Sequence, residues 1–196
     1  MIKYENIQRY DGMDFETYLK LPGYSHSFLK SEINGVAPKF HETKKVRLGK
    51  IVDALLTGTP EEVNMKDELY PAAKALAFEI KTVFGSIIKL LSKQVSFTGD
   101  MLFDGLRMPT KCRLDYFWEQ QAVIDLKVTH EKDVHGLIQY MGYENQLWNY
   151  SGIAKVERNY ILIYSVPLKK TTLVDLGKRP ERSPYWESRI QKFGVL

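Results

Sequence analysis

Ala122-Val123-Ile124-Asp125-Leu126-Lys127-Val128 alternates with period two. As a strand it places Ile124, Leu126 and Val128 on one face and Val123, Asp125 and Lys127 on the other. Its two charged side chains therefore point together. Residues 111 to 118 also have strand character, and Glu119-Gln120-Gln121 separates the two stretches. A three-residue loop pairs Trp118 with Ala122 and Phe117 with Val123, and it sets Asp115 directly opposite Asp125 and Arg113 opposite Lys127. A two- or four-residue loop would instead send Asp115 to the other face.

Side chains directly opposed in a hairpin have Cβ atoms about 4.5–5.5 Å apart, and two carboxylates at that separation destabilise each other unless they share a proton or bind a cation. Hard oxygen ligands without histidine or cysteine clusters suit Mg²⁺, with Mn²⁺ as a substitute, held by carboxylates together with a substrate phosphate. Lys127, two residues beyond Asp125 on the same face, is placed to orient or deprotonate an attacking water and to offset charge developing on a phosphate. Taken alone, the same residues also describe a solvent-facing hairpin in which Asp125 pairs with Arg113 or Lys127.

The flanking sequence supplies helices and further strands. Ser25 caps a short helix that ends near Gly35 and Pro38, and residues 46 to 57 repeat Leu48, Ile51, Val52, Leu55 and Leu56 at helical spacing before Gly58 and Pro60. A longer helix runs from Pro71 to about Ser92, its apolar side including Ile80, Val83, Phe84 and Ile87. Strand-like stretches at 94 to 97, 100 to 106 and 111 to 118 are broken at Thr98-Gly99 and Met108-Pro109-Thr110. After the 122 to 128 strand, a helix from roughly Asp133 to Ala154 carries Gln139, Tyr143, Gln146 and Tyr150 as one polar-aromatic stripe. The run at 160 to 166 is apolar enough for a strand buried on both faces, followed by a strand at 171 to 175 and a helix around 184 to 193. Strands on either side of a helix imply a mixed sheet in an α+β arrangement.

Composition bounds the function. With 196 residues, 44% of them hydrophobic, the chain has enough core for one domain spanning 1–196 and too little for two. A net charge of +4 permits a polyanionic partner without requiring one. Cys112 is the only cysteine, which excludes an internal disulfide and a multi-thiolate zinc site. No apolar run approaches the ~20 residues that cross a bilayer, and the polar start lacks a secretory signal, so a cytoplasmic protein with no membrane association is expected. The four histidines, His26, His41, His130 and His135, lack ligand spacing and read as surface or capping residues. Lys44-Lys45-Val46-Arg47 and the basic segment from Lys178 to Lys192 are candidates for phosphate contact or simply solvated faces.

Four motifs in order, Leu48 to Leu56, Cys112-Arg113-Leu114-Asp115, Ile124-Asp125-Leu126-Lys127 and Gln146-Leu147-Trp148-Asn149-Tyr150, together with Ser25 to Lys30, resemble the RecB/RecE-like branch of the PD-(D/E)xK nuclease superfamily, most closely phage exodeoxyribonucleases. The resemblance implies a restriction-endonuclease-like core, with a central mixed sheet flanked by helices, and Mg²⁺-dependent cleavage of DNA by metal-activated water. It also implies a homo-oligomer ring and the company of a single-strand annealing recombinase. Carried over by position, Asp115, Asp125 and the Leu126 carbonyl hold metal, Lys127 serves the water, and Gln146, Tyr150 and Arg113 support the substrate side. The branch usually places a metal-binding histidine on the first helix where this chain has Asp53, which can ligate Mg²⁺ or serve as an ordinary polar residue. The expected activity is an exonuclease on double-stranded DNA ends. Its rivals are an endonuclease of the same fold and a catalytically weakened DNA-binding or assembly module.

Overall fold

In the computed structural model, which describes residues 1–33, 43–59 and 63–195, the strand bearing Asp125 lies inside a six-stranded sheet. The elements are β1 (Lys3–Tyr10), α1 (Phe15–Lys20), α2 (His26–Ile33), α3 (Lys44–Thr57), α4 (Tyr70–Ile88), β2 (Ser92–Phe103), β3 (Leu106–Trp118), β4 (Ala122–Thr129), α5 (Val134–Met141), α6 (Tyr143–Ile153), β5 (Arg158–Ser165), β6 (Lys170–Lys178) and α7 (Pro184–Phe193). The strands lie in chain order, antiparallel throughout except where β4 and β5 run parallel. That one parallel pair is joined by the α5–α6 crossover, as a parallel connection requires. The sheet is therefore mixed, as expected.

Helices cover both faces. Leu48, Ile51, Val52 and Leu56 of α3 and Ala73, Ala77 and Ile80 of α4 pack on Ile124, Leu126, Leu162 and Tyr164. On the other face Leu147, Tyr150 and Ile153 of α6 meet Leu114, Val123, Ile161 and Ile163. Consecutive β5 residues thus enter opposite cores, which accounts for the unbroken apolar run there. A third cluster of Leu29, Met101, Met108, Trp186 and Ile190 seats α2 and α7 at the far end of β2 and β3.

Local chemistry explains most boundaries. Thr43 accepts from the Val46 N–H to start α3, and Gly58, at φ 86°, ends it in the left-handed conformation. Ser25 Oγ accepts from the Phe28 N–H at 3.3 Å, the cap anticipated for α2; the segment where that helix was expected to end lies outside the described residues, as does His41.

Several expectations are corrected. The breaks at Thr98-Gly99 and Met108-Pro109-Thr110 do not occur: β2 and β3 are continuous, and the chain reverses at Asp104 (φ 52°) and Gly105 (φ 79°) between paired Phe103 and Leu106. Gly99 instead marks a close approach of strands, since a Cβ there would sit 3.1 Å from the Glu5 carbonyl oxygen. The helix expected over 133 to 154 is two helices, broken at Gly142 (φ 67°), which ends α5 and starts α6. On α4, Val83 and Ile87 are exposed rather than core, 63% and 43% respectively. The strand β1 and the short helix α1 had no clear signature in the pattern, β1 because most of its residues are exposed on a sheet edge.

Candidate active site

The β3–β4 hairpin has the anticipated three-residue loop, with Trp118↔Ala122, Phe117↔Val123 and Tyr116↔Ile124 in register. The ladder then stops, one residue short of an Asp115–Asp125 pair. From there the Asp115 carboxylate replaces the backbone rung, its Oδ2 accepting from the Leu126 N–H at 2.7 Å. Further along the same strand, Tyr24 of the α1–α2 connection pairs with Thr110, and its carbonyl accepts from the Lys111 N–H at 3.1 Å. Between these two attachments β3 and β4 diverge, and a cleft of 990 Å³ opens there.

The β2 side of Asp115 is irregular too. The β2–β3 ladder passes from Lys93↔Tyr116 to Val95↔Leu114, leaving Gln94 and Asp115 unmatched, and Gln94 has a left-handed φ of 53°. Alternation slips at this point: Leu114 and Phe117, three residues apart, join the same cluster, while Tyr116 joins the opposite one. Strict period-two counting therefore does not describe β3 at its most important residue.

Helix α3 delivers Asp53. Its Oδ2 accepts from the Gln94 side-chain amide at 3.1 Å, whereas its buried Oδ1 has no hydrogen-bond partner. Burial lifts the Asp53 pKa from 3.8 to about 6, the Asp125 charge adds to the rise, and Gln94 and Lys127 oppose it. Asp115 is pushed well above the carboxylate range, first by burial and then by the charges of Asp53 and Asp125. Asp125 is 4% exposed; its Oδ1 accepts from the Gln146 amide at 3.3 Å and its Oδ2 lies 2.5 Å from Lys127 Nζ. The Gln146 amide also donates to the Tyr150 hydroxyl at 2.9 Å, so the expected Gln146 and Tyr150 reach the site as a chain ending on Asp125.

Lys127 stands 5.2 Å above the Tyr143 ring. Burial works against its ammonium, but Asp125 and Asp115 outweigh that penalty and hold its pKa above the ordinary lysine value. Lys127 is thus a fixed cation that orients and stabilises.

Asp53, Asp115 and Asp125 act on one another and on the Lys127 ammonium in buried surroundings, with the Arg113 charge also felt at Asp53. Among the described residues no three His, Cys, Asp or Glu side chains are grouped closely enough to encage a metal by themselves. Asp53 Oδ1 is nevertheless a buried oxygen without a hydrogen-bond donor, Asp125 Oδ2 is held only by Lys127, and all the candidate ligands are hard oxygens. Such a set fits an ion that keeps several waters and takes only one or two carboxylates, the habit of Mg²⁺.

Of the anticipated residues, Asp53, Arg113, Asp115 and Tyr150 line the cleft. Asp125, Lys127, Leu126 and Gln146 are not among its lining residues and stand against that wall; the Leu126 side chain packs in the α3–α4 cluster while its N–H holds Asp115. Gln139, counted in the same stripe, is exposed on α5 because the break at Gly142 interrupts the stripe. Arg113 spreads over the Phe15 ring at 5.4 Å.

The sequence pattern missed Gln94 and Lys111. Lys111 is 8% exposed, and its ammonium donates to the Leu21 and Leu19 carbonyls at 2.8 and 2.9 Å, fastening the end of α1 as a wall of the cleft. A lysine amid buried strand residues was the available signal, since lysine is almost never fully buried unless paired. His26, expected at the surface or as a cap, is 5% exposed and packs against Tyr185 and Trp186; burial and the nearby cations Lys30, Arg189 and Lys127 lower its pKa to about 4, so it is neutral. The basic groups at 44 and 47 are largely answered locally, Lys44 by Glu68 and Arg47 by Asp67 and Glu68. Among the described residues no helix is long and apolar enough to cross a membrane.

No family model matches this sequence, and no curated protein does. Solved structures do. A protein named as an exonuclease from Eubacterium rectale is 18% identical at a TM-score of 0.55, with 89% of this chain and 71% of that one covered. A phage-related exonuclease from Haemophilus somnus 129PT is 14% identical at a TM-score of 0.42, with 89% and 91% covered. The first of these likenesses shows a shared fold.

Proposed function

We propose that this chain is a metal-dependent nuclease that hydrolyses DNA phosphodiester bonds, acting as an exonuclease on double-stranded ends in phage-type recombination. The observation that carries the reading is the convergence of Asp53, Asp115 and Asp125 around Lys127, with a buried acceptor oxygen on Asp53, Oδ1, that lacks a hydrogen-bond donor. Like carboxylates are gathered this way where a cation or a proton is to be shared. The fold shared with the Eubacterium rectale protein named as an exonuclease agrees with the reading.

Asp53, Asp115, Asp125 and the Leu126 carbonyl are the groups from which Mg²⁺ would take its ligands, one or two carboxylates to an ion and water for the rest, with Mn²⁺ able to replace it. When bound, the ion supplies a water of lowered pKa and offsets phosphate charge. The chain's own residues do the rest. The Lys127 ammonium, kept protonated by its two carboxylate neighbours, orients the attacking water and meets charge developing on the phosphate. Tyr150 and Gln146 fix the Asp125 carboxylate, and Asp115 is fixed by the Leu126 N–H. Arg113, in the cleft wall with Lys50, places positive charge where a phosphate oxygen of the bound strand would lie. A ring of identical subunits and a single-strand annealing recombinase as partner belong to the same reading.

The test is degradation of linear duplex DNA with Mg²⁺, wild type against Asp125→Ala. The wild type is expected to degrade it and the variant to lose at least ~10²-fold in rate, the range removed with a principal catalytic group. Equal behaviour of the two, or no degradation by either, ends the enzyme reading. Closed circular DNA that is cut as fast as blunt linear DNA would make the enzyme an endonuclease.

A further inference from the structure

Gln94 is the least ordinary residue on the cleft wall. It occupies the left-handed region, φ 53°, inside a strand, where a side chain with a Cβ is strained and glycine is not. Its side chain is buried, 7% exposed, and donates its amide to Asp53 Oδ2 at 3.1 Å. Its position in the ladder is the rung missing opposite Asp115. One residue therefore touches one carboxylate through its side chain and stands, through its backbone, at the irregularity that carries the other.

Glycine would adopt this backbone without strain, and would bring nothing to Asp53. What glutamine brings is a neutral donor of the right length. Being neutral, it adds no fourth negative charge to Asp53, Asp115 and Asp125. Being a donor, it engages one Asp53 oxygen and leaves the other, Oδ1, without a hydrogen bond. Partners of this kind fix the orientation of metal-binding carboxylates.

We infer that Gln94 is a positioning residue that presents Asp53 Oδ1 to a divalent cation, an inference resting on the metal-dependent reading above. The left-handed backbone at Gln94 and the missing rung at Asp115 are the structural cost of placing that amide under Asp53.

The experiment is Mn²⁺ binding to the full chain, followed by electron paramagnetic resonance of the free ion, with thermal unfolding of the metal-free protein measured in parallel. Variants are Gln94→Gly, which removes donor and backbone strain together, and Gln94→Met, which keeps length and packing but removes the donor. Both are expected to bind Mn²⁺ at least ~10-fold more weakly. The metal-free glycine variant is expected to unfold no earlier than wild type. A residue with a merely structural role would move stability and affinity together. If Gln94→Gly folds poorly, Gln94→Met carries the comparison alone. Wild-type Mn²⁺ affinity in Gln94→Met, or Mn²⁺ binding that Asp53→Asn leaves unchanged, overturns the inference. A protein that binds Mn²⁺ through Asp53 and Gln94 yet never cuts DNA would defeat the nuclease reading and leave this one standing.

Discussion

Replacing Asp53 by asparagine should make the metal-free protein more stable, and increasingly so as the pH rises. Asparagine keeps an acceptor for the Gln94 amide but carries no charge. In the folded protein Asp53 titrates at about 6 rather than at its ordinary 3.8, chiefly because it is buried. Between those two values the folded chain holds a proton that the unfolded chain has released, so stability falls as pH climbs through the window and the loss is complete above it. At ~1.4 kcal/mol per pH unit, the ionised carboxylate costs the wild type about 3 kcal/mol at pH 7.5 and about 1 kcal/mol at pH 4.5. For a domain of this size, 1 kcal/mol corresponds to roughly 2–4 °C, so Asp53→Asn should raise Tm by about 6–12 °C at pH 7.5 and by a few degrees at pH 4.5. The assay is scanning calorimetry of both proteins in chelator at the two pH values. Added Mg²⁺ should then close most of the gap, because a ligand at 100 times its Kd contributes about 2.7 kcal/mol to the wild type alone. Equal Tm values at pH 7.5, or a gap that shrinks with rising pH, would refute the claim that Asp53 is a desolvated, cation-seeking carboxylate.

Two further expectations concern the frame around the site. Lys111→Met strips the charged donor from the Leu19 and Leu21 carbonyls and should cost about 1.5–3 kcal/mol in urea unfolding, with weaker DNA binding as the α1 wall loosens; a midpoint within error of wild type would deny Lys111 that role. Gly142→Ala meets no steric obstacle beyond an ordinary 3.7 Å contact with Asn145, but imposes a Cβ at φ 67°, so a loss of about 1–2 kcal/mol with unchanged helix content by circular dichroism is expected, and no loss would mean the α5–α6 break tolerates a side chain.

Some of this architecture is written locally. The alternation of 122 to 128 needs only the two-fold pleat, and it correctly assigned Ile124 and Leu126 to one core and Val123 to the other. The three-residue hairpin loop is equally local, and it set the register of Trp118 and Ala122. Caps at Ser25 and Gly58 follow from backbone groups that each helix end must satisfy. Gly142 was legible too, as the residue most tolerant of a left-handed break, yet the polar-aromatic stripe running through it argued for one continuous helix.

The rest depended on contacts far apart in the chain. That Asp115 leaves its strand pairing to take the Leu126 N–H follows from the divergence of β3 and β4 once Tyr24 claims the other end of β3, and periodicity assumes that ladders continue. That Asp53 joins the other two carboxylates depends on how α3 lies across the sheet, and that Gln94 serves Asp53 depends on a backbone bend no propensity scale favours. The sequence alone determined which residues carry charge and, where the period runs unbroken as over 122 to 128, which face of the element they occupy, because those follow from helix and strand periods. The tertiary structure decided which charges share one desolvated space, because burial and electrostatic coupling depend on distances between segments separated by tens of residues.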